Sequence, residues 1–245
     1  MDITTIMGVA GAVALLFAGV AGDQISASLI NMHGVVVVLG GTLVATLINT
    51  PLKFIKGAVT ELGQIFRERE EVAPEKIIPV IVALAEQARM RGVSALKEAD
   101  TTVARGFLNR AATAALEYND TKFVREVLEQ EINQGVDDMN EVANVYRTMS
   151  VMAPMFGLLG TLIGIIGVLK DLANPESVGP AMAVAITSAF YGIFFANMIC
   201  VPIAGKMRAK VWLEVRMKAM ILEGVLEIMK GSMPLVIERR LQSYL

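Results

Sequence analysis

Cysteine and histidine are almost absent: Cys200 and His33 stand alone in 245 residues. A single thiol closes no disulfide within the chain, and one thiol with one imidazole leaves no His/Cys cluster for a metal. Charge is also scarce. Asp, Glu, Lys and Arg make up 19% of the residues, against about a quarter in soluble domains. The net charge of −2 excludes a bulk basic nucleic-acid binder. No Ser/His/Asp, Cys/His or paired-carboxylate arrangement stands out, so the chain carries no enzyme signature. The run GLLGTLIG lacks the Lys-Ser/Thr ending of a phosphate loop. The opening MDITTIMGVAG lacks a basic n-region, so its apolar segment is expected to be retained rather than cleaved. There is no internal repeat and no low-complexity run.

What the chain does have is apolar length. It is 54% hydrophobic, with mean hydropathy +0.56. Four stretches, 3–22, 29–50, 148–169 and 179–204, contain no Asp, Glu, Lys or Arg. Each is near the ~20 residues a spanning helix needs. They form two hairpins with short links, 23–28 and 170–178. Lys53, Lys56, Arg67 and Arg69 follow the second stretch, and Arg147 precedes the third. Lys206, Arg208 and Lys210 follow the fourth, whereas the links carry only Lys170. The positive-inside rule then puts both termini and the long middle segment in the cytoplasm. The expected fold is all-α: a polytopic membrane protein with four transmembrane helices and a helical cytoplasmic domain. Its parts are a first hairpin (1–52), a cytoplasmic domain (53–147), a second hairpin (148–204) and cytoplasmic C-terminal helices (205–245).

The middle segment shows helical spacing at Ile77, Ile78, Ile81, Leu84, Ala85 and Ala88, with one helix beginning after Pro74. The tail is expected to prolong the fourth span to about Lys230, where Gly231 ends it. Pro234 then opens a short terminal helix.

The second hairpin is the unusual one. Gly157, Gly160, Gly164 and Gly167 fall at i, i+3, i+7 and i+10, on one helical face. Ala181, Ala185, Ser188, Gly192 and Ala196 make a second small-residue face on the fourth span. Such faces let backbones approach closely. Two readings stand: packing within this chain, or a slot for helices of another subunit. Thr161, Thr187, Ser188 and Tyr191 either bond to backbone or line a wet path for a small cation. Cation paths usually hold an acidic residue. These spans have none, so a conducting assembly needs a carboxylate from a partner. The VVVVLGG run after His33 reads as a lipid-facing helix, with His33 itself interfacial. Pro154 and Pro202 each remove a backbone donor, giving a static kink or a hinge. Glu86, Arg89, Arg91, Lys97 and Glu98 read on their own as a solvated charged face.

With these residues in view, the chain resembles the MotA/PomA family, the A subunit of the flagellar motor stator. The resemblance runs nearly full length and is strongest in APMFGLLGTLIGIIGVL, NPESVGPAMAVAITSAFYGIFFAN, VPIAGKMRAK and EGVLEIMKGSMPLVIERRL. It implies a bacterial inner-membrane homo-oligomer, a pentamer, around the single spans of two MotB/PomB-type subunits. Each of those spans brings one aspartate. Ion passage turns the ring, and the cytoplasmic domain pushes the rotor protein FliG. No cofactor is implied beyond the transported H+ or Na+. On this resemblance the ion path and partner-helix packing fall to Gly157, Gly160, Thr161, Gly164, Gly167, Ala185, Thr187, Ser188, Ala189, Tyr191 and Gly192. Pro154 and Pro202 match the coupling prolines. Arg89 matches an arginine that engages the rotor, with Arg91, Lys97 and Glu98 beside it. The family's rotor-facing glutamate falls at Lys97, one place before Glu98. Thr161 is as in sodium-type members, whereas Ala189 is as in proton-type ones. Shedding the water shell of Na+ calls for several convergent oxygens, so the expected ion is H+. The alternative from the same resemblance is a TolQ/ExbB-like module driving an envelope protein, and a third class is a passive helical scaffold.

Overall fold

The computed structural model describes residues 6–8, 10–14, 31–65, 74–170 and 172–244. The expected span 3–22 therefore lies mostly outside the described residues. The link 23–28, the start of the second span, Arg67 and Arg69 lie wholly outside. Every described element is a helix or turn. In order they are α1 (Met32–Asn49), α2 (Leu52–Ile65), α3 (Pro74–Arg91), α4 (Phe107–Tyr118), α5 (Thr121–Lys170), α6 (Pro175–Phe194), α7 (Val201–Met229) and α8 (Pro234–Gln242). Two tight 3-10 turns, Val93–Glu98 and Val103–Gly106, join α3 to α4. Two π-helical turns interrupt the apolar helices. One, Val36–Gly40, lies inside α1, and the other, Phe195–Cys200, joins α6 to α7.

Local chemistry explains the ends. Asn31 caps α1, its side chain accepting hydrogen bonds from the backbone N–H groups of His33 (3.0 Å) and Gly34 (3.2 Å). Thr50 precedes Pro51 and is held extended, as a residue before proline must be. Asn174 caps α6 at Glu176. Gly231 ends α7 in the left-handed region (φ +74). The Gly231 N–H bonds to the Ile228 carbonyl and that of Ser232 to the Glu227 carbonyl, the paired bonds of a Schellman cap. Pro234 follows, as expected. The Phe195–Cys200 turn comes just before Pro202, which has no N–H to offer the preceding turn.

Described helices long and apolar enough to cross a membrane are Met32–Asn49 and stretches within Thr121–Lys170 and Glu176–Met229. The chain divides into two compact units, Met1–Glu68 with Asn140–Arg208, and Arg69–Met139 with Ala209–Leu245. α5 and α7 contribute to both.

The second unit has a conventional apolar core. Ile77 and Ile81 of α3, Phe107 and Leu108 of α4, Met220 and Ile221 of α7, and Leu241 of α8 are all fully buried. Gly224 lets α3 lie close, because a Cβ there would sit 2.7 Å from the Ile81 side chain. Two acidic residues are nearly buried beside this core: the Glu223 and Glu227 side chains are 8% and 6% exposed. Arg125 reaches Glu223 at 2.9 Å. Arg240 reaches Glu223 at 2.7 Å and Glu227 at 2.9 Å. Lys230 (2.7 Å) and the Ser232 hydroxyl (2.6 Å) complete the shell of Glu227. Burial pushes the Glu227 carboxyl up. The hydrogen bonds from Lys230 and Ser232, with the charges of Lys230 and Arg240, outweigh it and hold the group below its usual value.

The VVVVLGG segment departs from expectation. Val38 is fully buried and so are Thr42 and Thr46, while Val36, Leu43, Val44 and Leu47 are exposed. α1 is therefore two-faced: one face packs within its unit, and the other is exposed.

Candidate functional site

The candidate site lies in the first unit, where α5, α6 and α1 meet. Gly157 and Gly192 mark a backbone-to-backbone crossing. A Cβ on Gly192 would fall 2.5 Å from the Ala153 carbonyl and 3.1 Å from the Cα atoms of Gly157 and Pro154. A Cβ on Gly160 would fall 2.5 Å from Ser188, and one on Gly164 would fall 2.7 Å from the Ala185 nitrogen. Gly167 is looser, with Ala181 at 3.4 Å. The glycine face is thus filled by this chain's own α6. Within the chain, Gly157, Gly160, Gly164, Ala185 and Gly192 close the hairpin, the first of the two packing readings of this face. Spacing identifies a close-packing face but does not name what packs on it.

The hydroxyls also turn inward. Thr161 Oγ1 lies 3.0 Å from the Gly157 carbonyl of its own helix and 3.0 Å from the Ala185 carbonyl on α6. It donates its one proton between them and so stitches the two helices. Thr187 donates to the Ala183 carbonyl and Ser188 to the Val184 carbonyl, each at 2.7 Å. Ser188 is fully buried between Gly160 and Gly34. A Cβ on Gly34 would lie 3.0 Å from Ser188 Oγ and 3.4 Å from Thr187 Oγ1. Tyr191 Oη accepts a hydrogen bond from the Asn31 backbone N–H at 2.9 Å. These four residues therefore join α5, α6 and α1. Thr161, Gly167, Ala189 and Tyr191 keep partial exposure, as does Pro154, and Pro202 is exposed. α5 stays helical through Pro154.

Asn31, Gly34 and Gly41 belong to this site and were missed in the sequence. Gly41 packs on the Phe156 ring, which fills the space of its missing Cβ. The signal was there: Gly34 and Gly41 are seven apart, two turns along one face. The Val run drew the reading toward lipid instead.

In the second unit, Arg89 and Arg91 end α3, and Gly92 (φ +78) turns the chain into the Val93–Glu98 turn. Arg89, Arg91, Lys97 and Glu98 are all exposed. Arg91 pairs with Glu98 at 3.1 Å, an exposed bridge worth about 0–1 kcal/mol. Arg89 and Lys97 form no ion pair with a described residue. The result is a solvent-facing cluster of three cations and one anion.

Comparison with known proteins agrees along the whole chain. The profile of a family described as the MotA/TolQ/ExbB proton channel family matches residues 98–220. Motility protein A of Bacillus subtilis is 30% identical over 246 residues, covering 100% of this chain and 91% of that protein. Chemotaxis protein PomA of Vibrio alginolyticus is 30% identical, covering 100% and 96%. The structure of the flagellar MotAB stator complex from Bacillus subtilis contains a similar chain, with TM-score 0.90, 29% identity and coverage of 100% and 96%.

Proposed function

This chain belongs to the MotA/TolQ/ExbB proton channel family, and on that premise we propose how it takes part in a motor. It is a flagellar stator subunit, not an enzyme, and it works in the membrane with a MotB-type partner. Relatives named for motility match from end to end, which favours this reading over an envelope-energising module. The observation that carries the mechanism is chemical. The described apolar spans hold no Asp, Glu, Lys or Arg, and the hydroxyls of Thr42, Thr46, Thr161, Thr187 and Ser188 are spent on backbone carbonyls. The chain therefore supplies a stiff, uncharged wall, and the proton-carrying carboxylate comes from the partner's span.

The finer reading follows the family. Five copies surround two partner spans, both termini face the cytoplasm, and four helices cross the inner membrane. Thr161, Ala189 and Tyr191, the partly exposed members of the site, face the ion path. Pro154 and Pro202 pass movement to the second unit. The Arg89–Glu98 cluster pushes FliG. Protons are the driving ion.

The test is swimming. Produced with its partner in a host lacking stators, the chain should restore motility, at a speed that ignores Na+ at fixed pH and falls with a protonophore. A speed that climbs with Na+ would assign the other ion. No swimming, despite both subunits in the membrane, would end the motor reading. A second expectation concerns the cluster: Arg89→Glu should cut swimming severely at unchanged membrane abundance. Full motility in that variant would return Arg89 to an ordinary solvated residue.

A further inference from the structure

The second unit has two outward faces that its own packing leaves uncovered. Within it α5 and α7 lie side by side, with Ile132, Val136 and Met139 set against Val211, Val215 and Lys218 across one narrow crevice. On the far side of α7, Ala209, Trp212, Leu213 and Arg216 recur at i, i+3, i+4 and i+7. Trp212 and Leu213 are 64% and 48% exposed, and the Arg216 guanidinium lies over the Trp212 ring at 5.5 Å. On the far side of α5, Gln130, Gln134 and Asp137 recur at i, i+4 and i+7, all three exposed. Neither Arg216 nor Asp137 is in an ion pair with a described residue.

The two faces are chemically complementary. The first offers donors, the Trp212 indole N–H and the Arg216 guanidinium, beside an apolar ring and a leucine. The second offers acceptors, one carboxylate and two amide oxygens. They also sit at one height, because 132–139 of α5 runs alongside 211–218 of α7. We propose that the Trp212 face of one chain docks on the Asp137 face of the next copy, with Arg216 paired to the neighbour's Asp137. This rests on the ring reading above: rotation about an axis along these helices carries one face onto the other. Desolvated Trp and Arg anchors supply much of the energy of an interface, and an indole N–H taken out of water needs an acceptor. A two-fold pairing through the Trp212 face would instead set Arg216 beside Arg216. Docking of unlike faces is the head-to-tail arrangement from which rings close. The second units of successive copies are then tied directly to one another.

The experiment uses the full chain with its partner in membranes, carrying Q134C/L213C, which leaves Trp212, Arg216 and Asp137 in place. The two new thiols lie on opposite sides of the α5–α7 pair, so a short bismaleimide joins them only between copies. The double variant should give a ladder of two, three and more linked copies. Q134C alone, L213C alone, and the parent chain with its buried Cys200 should give none. Adding R216D should cut the linked fraction by roughly fivefold or more, because like charges set together across an interface repel. Adding D137R as well should restore it. No ladder, in complexes that native mass shows to hold several copies, would overturn the proposal and leave the ring reading standing. Linked pairs from either single variant would overturn it in favour of a two-fold contact. A linked fraction unmoved by R216D would overturn the pairing of these two faces. A product joining one chain to a different protein would overturn it by giving the face another occupant. Complexes holding a single copy would overturn the ring reading itself, a separate and recognisable failure.

Discussion

Gly192→Ala and Gly164→Ala are expected to destabilise the chain sharply, although alanine is the better helix former. The added methyl of Gly192→Ala would meet the Ala153 carbonyl at 2.5 Å, and that of Gly164→Ala would meet the Ala185 nitrogen at 2.7 Å. Both obstacles are backbone, which cannot rotate away, so α5 and α6 must separate. Overpacking of this kind costs about 1–3 kcal/mol, against a propensity gain of at most about 1 kcal/mol. Separation also stretches the Thr161 bond to the Ala185 carbonyl. In a chain of this size each kcal/mol lowers Tm by roughly 2–4 °C. Gly167→Ala and Gly179→Ala are the internal controls. The first would make an ordinary contact at 3.4 Å with Ala181, and the second meets nothing within 4 Å. Both should match or exceed the wild type. Thermal unfolding of the purified full chain in one detergent ranks the four. Equal Tm values across them would mean that the close crossing of α5 and α6 contributes nothing.

Arg240→Ala is the second large effect, and it lies in the other unit. Arg240 bridges two nearly buried carboxylates, Glu223 and Glu227. Removing one member of a fully buried pair costs about 3–5 kcal/mol. Arg240 is itself half exposed, and Arg125, Lys230 and Ser232 remain in place. A loss of about 2 kcal/mol is therefore expected, on the scale of that discounted range. The pH dependence has a definite sign. The folded Glu227 carboxyl titrates below its ordinary value of 4.5. Its contribution is therefore complete above that pH and disappears as pH falls through the lower folded value. In Arg240→Ala one of the charges that hold it down is gone, so the fall of Tm between pH 5 and pH 3 (about the range where carboxylates titrate) should be shallower than in the wild type. Parallel Tm curves for the two proteins would exclude this cluster as an acid-sensitive element.

Local signals in the sequence were legible where one residue type does one physical job. Pro74 opens α3, Gly231 closes α7, and the periodic Ile77, Ile81 and Leu84 are buried. The glycine face of α5 was equally legible as a face. Its occupant was not, because α6 and α1 also carry small residues, and spacing cannot choose among them. The hydroxyls were ambiguous for a similar reason. Whether Thr161 meets water or a carbonyl depends on how near Ala185 comes, and that is a tertiary fact. The Glu223–Glu227 cluster was invisible, since Arg125 and Glu223 are 98 residues apart. The Arg91–Glu98 pair crosses a chain reversal at Gly92 that helical periodicity does not signal.

The two π-helical turns have a consequence for how these helices can touch anything. An ideal α-helix advances about 100° per residue, so a row of every fourth residue drifts by about 40° at each step. Four such steps would swing the row about 160°, to the far side of the rod. Yet Ser188, Gly192, Ala196, Cys200 and Ala204 are all buried at strict intervals of four, and so are Gly34, Val38, Thr42 and Thr46. Each series runs through a π turn, where the chain is underwound. The slack cancels part of the drift and keeps each row as a straight seam, where an unbroken α-helix would present a spiral.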